Sequence, residues 1–220
     1  MITIAKKLKK TNGMPTRNIA KEITVKELLR VFKKEVTTSI INPKFIHHAW
    51  FLRYHLIIVE KIALEICNYY PQADKNIVLL LVWLHDYGKI IDFHNQYKTT
   101  LSIGKKKLLM LGFPQEIVEK TIMYIAILDR KSDITQAPIE VQVVSSADGA
   151  AHLVGPFYAI YWKEHYNYMV EKLMKENKRK ALIDWNKKIV LPEVKKAFLS
   201  RHSQLLERCG KFPKKYLSRV

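Results

Sequence analysis

His85 and Asp86 stand side by side in the stretch Leu84-His85-Asp86-Tyr87-Gly88-Lys89. A neutral imidazole next to a carboxylate is a ready pair of metal ligands. A further histidine, His55, lies upstream, and Asp148 lies downstream in Ser145-Ser146-Ala147-Asp148-Gly149. Two histidine nitrogens and two carboxylate oxygens make a hard-to-borderline donor set, suited to Mn, Fe, Co, Mg or Zn with positions left open for water. A metal lowers the pKa of such a water enough to make hydroxide near neutral pH. The chemistry these residues point to is metal-assisted hydrolysis of a phosphoester.

The elements that must position these groups read as helices. Strand-like alternation is absent, and Asn12-Gly13 is not flanked by strand-like runs. Thr24 is an expected N-cap for a helix from about Val25 to Thr38, ending near Asn42-Pro43. A second helix runs from about Phe45 or His48 to Asn68, with Leu52, Leu56, Val59, Ile62 and Ile66 on one face and His55 at or near it. The apolar run Ile77–Leu84 is a buried helix that delivers His85 and Asp86 at its end. Adjacent helical residues point roughly 100° apart, so both reach one ion only at a terminus or kink. Gly88 is expected to provide that break by taking a left-handed conformation.

Helices are also expected over Ser102–Met110, closed by Gly112, and after Pro114 as far as Asp129-Arg130. Another follows Pro138, carrying Val144, Ala147, Asp148 and Ala151. A long amphipathic segment runs from Gly155-Pro156 to about Asn177, and a last helix runs from Pro192 to Arg208. The expected architecture is one all-α domain over 23–208, with a basic N-terminal tail at 1–22 and a basic C-terminal tail at 209–220.

Composition narrows the function classes. The 220 residues are 48% hydrophobic, enough for a substantial core, and no apolar run approaches the roughly 18–20 residues that span a bilayer. Cys67 and Cys209 are far apart and lack metal-ligand spacing, which fits free thiols in a reducing cytoplasm. The net charge of +18 is mostly lysine spread along the chain. It reads as a solvated surface that attracts anions rather than as a nucleic-acid site. The expected partner is a small phosphorylated molecule; a second copy of the chain is a further candidate partner, and no membrane is expected.

At these residues the sequence resembles the HD-domain phosphohydrolase superfamily, whose signature is a His, a His-Asp doublet and a later Asp. The resemblance covers about His55 to His152, with His55-Leu-Ile-Ile-Val59, Leu84 to Lys89 and Ala147-Asp148-Gly149 matching in order. A basic residue often precedes the valine of the first element, where this chain has Ile58. The resemblance implies an all-helical HD-type fold with extra terminal helices, a divalent metal held by His55, His85, Asp86 and Asp148, and phosphohydrolase activity, commonly on nucleotides. The alternative it leaves is a non-catalytic HD-type module that binds a nucleotide or nucleic acid.

Dinuclear members of that superfamily carry two more histidines. One corresponds in place to His94, and at the other this chain has Ile127-Leu128-Asp129-Arg130. A single ion is therefore expected, with His94 near the substrate and Asp129 as the only group that could replace the second ligand. Asp86, Lys89 and His94 are the expected catalytic set, Lys89 meeting a substrate phosphate as a compact charge. His152, four residues after Asp148, shares its helical face and is expected to orient it. Glu60 is off the face of His55 and receives no catalytic role. His47 and His48 are expected to flank the site or the helix start. Tyr158, Tyr161, Trp162 and His165 read as core or interface.

Overall fold

The computed structural model describes residues 24–129 and 133–215. The basic N-terminal tail expected at 1–22 lies outside them, as does the end of the C-terminal tail. Among the described residues every regular element is helical. No described helix is long and apolar enough to cross a membrane.

Helix α1 (Val25–Ile40) begins with a capping box: Thr24 accepts from the Glu27 backbone N–H, and the Glu27 carboxylate accepts from the Thr24 backbone. Its apolar face, Leu28, Leu29, Phe32, Val36 and Ile40, is buried. Turns occupy 41–50, and the second expected helix starts later than the sequence suggests. It opens with a π-helical turn (Leu52–Leu56) that carries His55 and runs on as α2 (Ile57–Tyr69).

Asp74 caps α3 (Lys75–Leu84) by accepting from the Asn76 and Ile77 N–H groups. Seven of the ten residues of α3 are buried, as its nearly continuous apolar sequence requires. Two short helices, α4 (Tyr87–Ile91) and α5 (Gln96–Thr99), lead through a π-helical turn (Thr100–Gly104) into α6 (Lys105–Met110). Gly112, at φ 87°, closes α6 as expected. Next come α7 (Gln115–Asp129) and α8 (Ile139–Ala151).

Helix α8 is the axis of the fold. Val141, Val143, Ser145, Ser146, Ala147, Asp148, Gly149 and Ala150 are all buried, so it is enclosed on every side. Its small residues let α2, α3, α7 and the C-terminal segment approach closely. The long helix expected over 156–177 is instead two, α9 (Phe157–Glu164) and α10 (Val170–Ile183), separated by turns around His165–Met169. A π-helical turn (Asp184–Lys188) continues α10, and α11 (Pro192–Arg208) ends on Cys209. Both cysteines are buried and unpaired.

Gly88 corrects the expectation placed on it. It lies inside α4 rather than in a left-handed cap. A Cβ there would collide with the Gln96 carbonyl and with Thr100, and its N–H donates to Thr100 Oγ1 at 2.9 Å. The glycine is a contact point between α4 and the following turn. The helix breaks two residues earlier, where Asp86 takes φ −107°, ψ 12°, in the sparsely populated bridge region.

Candidate metal centre

That break decides the geometry of the doublet. His85 keeps helical angles as the C-cap of α3, and Asp86 turns out of the helix, so both side chains aim at one point. His55 reaches it from the π-helical turn of the second helix, and Asp148 from the middle of α8. His55 Nε2 lies 3.4 Å from Asp86 Oδ2 and 3.6 Å from Asp148 Oδ1. His85 Nε2 lies 3.4 Å and 4.0 Å from the same two oxygens. Donors about 2.1 Å from a common ion stand roughly 3–4 Å from one another, so each of these histidine–aspartate pairs has a spacing that a shared ion allows.

The protonation pattern makes the same case. His85 Nδ1 is 2.7 Å from the Val82 carbonyl, which fixes the proton on that nitrogen and leaves Nε2 a bare lone pair. That Nε2 is buried, has no hydrogen-bond partner and faces two carboxylates. A buried lone pair facing two carboxylates, with no donor of its own, is unfavourable unless a cation lies beside it. The residues present therefore fit a divalent ion. Two triads of potential ligand atoms, each within 4.8 Å of one another, share His55: one with His85 and Asp86, the other with Asp148 and His152.

Lysines surround this anionic pair. Lys89 Nζ is 2.8 Å from Asp86 Oδ2, the oxygen that also faces the imidazoles. Lys188 Nζ is 2.5 Å from Asp148 Oδ2, leaving Oδ1 to the imidazoles. Burial pushes both carboxyls up, but for Asp86 the charge of Lys89, and for Asp148 that of Lys188, followed by the nearby imidazoles, hold them well below the usual carboxylate range. Burial lowers His55 and lowers His152 to about 4, so both rings are neutral at pH 7 and available as ligands.

Asp129, at the end of α7, is near enough for His85, Asp86, Lys188 and Lys89 all to bear on its ionisation. Its Oδ2 is buried without a partner, and burial raises the carboxyl to about 7.

Other residues weighed from the sequence lie away from the cluster. His94 is exposed; its ring meets Phe93, its backbone N–H donates to Asp92, and it makes no described contact with the cluster. Glu60 faces the opposite side of its helix, pairing with Lys33 and accepting from Trp83 Nε1 at 2.5 Å. His47 and Trp50 both contact Glu164 Oε1, tying the start of the second helix to α9, and His48 bonds the Phe45 carbonyl.

Lys180, Asp184 and Lys188 carry no motif and were not expected at the centre. They do follow a signal, an i, i+4, i+8 spacing that places them on one helical face. Gly149 lets their segment in: a Cβ there would stand 2.9 Å from Ile189 Cγ1 and 3.0 Å from Lys188 Cβ.

The family model of the HD domain matches residues 52–151. No curated protein and no solved structure matches the chain. The matched stretch starts at the π-helical turn bearing His55 and ends with α8, so it contains His55, His85, Asp86 and Asp148 and omits the whole C-terminal segment.

Proposed function

Because this chain carries an HD domain over residues 52–151, the mark of a metal-dependent hydrolase superfamily that is mostly phosphohydrolases, we propose that it hydrolyses a phosphoester of a nucleotide or another small phosphorylated metabolite. The observation that carries the reading is the bare, buried Nε2 of His85 facing the carboxylates of Asp86 and Asp148. His55, His85, Asp86 and Asp148 would hold a divalent ion, which supplies an acidified water and positive charge for the phosphate oxygens.

The remaining steps fall to the protein's own groups. Lys89, bonded to an ion-facing oxygen, would turn toward the substrate phosphate once that oxygen is engaged, adding charge where the transition state needs it. Asp129, whose buried Oδ2 has no partner, lies beside these residues and would be the group to exchange a proton with the leaving oxygen. His94, exposed beside Phe93, would act only on the part of the substrate away from the ion.

A nucleotide is favoured by a cavity of about 540 Å³ that reaches His152. It is lined by Tyr158, Trp162, Asn177, Arg201 and Arg208, offering rings for a base and cations for phosphates. The test is metal analysis of purified protein followed by a phosphatase screen over nucleotides, dinucleotides and phosphosugars. Activity that His85→Ala and Asp86→Ala abolish is expected; protein that takes up no metal and cleaves no phosphoester removes the proposal.

One observation favours a second reading, the non-catalytic HD-type module. Lys89 and Lys188 already neutralise Asp86 and Asp148 without an ion. Nucleotide binding that is indifferent to added metal, with no turnover, is the outcome that selects it.

A further inference from the structure

Beside the four ligands stands another buried imidazole. His152 follows Asp148 by one helical turn and is 6% exposed. Its ring lies nearly parallel to that of His55, centroids 5.1 Å apart at 8°, and also meets Phe157 at 4.0 Å. Its orientation is therefore fixed by packing on both rings.

Its two nitrogens have unlike surroundings. Nδ1 is 2.9 Å from Oδ2 of Asp184, a fully buried carboxylate that can only accept, so the proton of the neutral ring sits on Nδ1. Lys180 Nζ, which can only donate, stands 2.6 Å from each Asp184 oxygen and 3.0 Å from Nδ1, and the carboxylate that both reach draws the protons of each. Nε2 is left as a lone pair directed at Asp148 Oδ1, 3.6 Å away. Two acceptors facing each other across that distance repel, and a cation bound to both reverses the sign. His55, Asp148 and His152 present donor atoms that all lie within 4.8 Å of one another.

We propose that His152 is itself an ion ligand, and that Asp184 and Lys180 fix its tautomer from the C-terminal segment, outside the stretch that matches the HD domain. The inference rests on the ion site proposed above and adds a third nitrogen to it. Three imidazoles and two carboxylates would then surround the ion, the two triads sharing His55. The extra nitrogen shifts preference away from Mg and toward Fe, Co or Zn. A carboxylate behind a ligating imidazole typically accounts for about 10–100-fold in metal affinity, which sets the scale for Asp184.

The experiment is Co²⁺ titration of the full chain, followed by calorimetry and by visible absorption. His152→Gln is expected to weaken Co²⁺ binding at least about tenfold and to change the d–d spectrum, and Asp184→Asn to weaken it by about 10–100-fold. His165→Gln, whose ring bonds the Tyr161 carbonyl away from the centre, should alter neither. If His85→Ala loses the ion while His152→Gln keeps wild-type affinity and spectrum, this inference is overturned and the phosphohydrolase reading stands. If the wild type binds no ion, both fall. Should the His152 variant fail to fold, pulsed EPR of the wild-type protein loaded with Cu²⁺ counts coordinated imidazoles through their remote nitrogens. Three are expected, and two would overturn the proposal.

Discussion

Asp129 gives a sharp test because its state depends on pH in a known direction. Burial raises its carboxyl from an ordinary 3.8 to about 7. In the unfolded chain the group ionises near 3.8–3.9, so between that value and about 7 the folded protein binds a proton that the unfolded chain has released. Stability in this range falls as pH rises, and above about 7 the loss is complete. The full rise corresponds to about 4 kcal/mol. Asp129 is only part-buried, so solvent screening reduces this to about 2 kcal/mol. Asp129→Asn removes the titration while keeping the shape.

In metal-chelated protein the variant should therefore match the wild type near pH 4. It should exceed the wild type at pH 8 by about 2 kcal/mol, or about 5 °C in melting temperature for a chain of this size. The assay is urea or thermal unfolding of both proteins at matched pH, and their difference cancels every other titrating group. A difference that stays flat from pH 4 to pH 8, or a variant less stable at pH 8, would refute the placement of a protonated carboxyl there. The same substitution should cut phosphoester turnover if Asp129 delivers a proton.

Three further outcomes follow from the packing. Gly88→Ala should lower the melting temperature by several degrees or more, since the added methyl meets the Gln96 carbonyl and overpacking at such a contact costs about 1–3 kcal/mol. Thr24→Ala should cost about 1 kcal/mol by removing the capping box of α1, measured by urea unfolding. Glu60→Gln should loosen the Lys33 and Trp83 contacts and lower stability. Metal uptake measured by calorimetry should not change with it, because Glu60 faces away from the centre.

That His55, His85, Asp86 and Asp148 come together was legible because their chemistry is written in type and order, and α1, α3 and α8 were legible because caps and apolar runs are local. Its errors share a physical cause. Gly88 has two uses, a positive φ or room for a neighbour, and a single chain does not distinguish them; here the neighbour is Thr100, twelve residues on. The segment 156–177 contains no proline or glycine after Pro156, so nothing local marks the turns at His165–Met169. Lys188 and Asp184 reach the centre only because α10 folds back on α8, a contact between residues 32 to 40 positions apart. His94 sits in an exposed loop, where no local pattern says whether it meets a substrate.

Gly149 sits directly after Asp148 and acts as a spacer. Its missing side chain sets how near the Asp184–Lys188 turn lies to α8. Successively larger residues at this one position would work as a shim, moving the wall that holds His152 and Asp148 while leaving each ligand in the sequence. The spacing of the proposed metal centre could thus be tuned in the laboratory at a position that no ligand motif would lead anyone to vary.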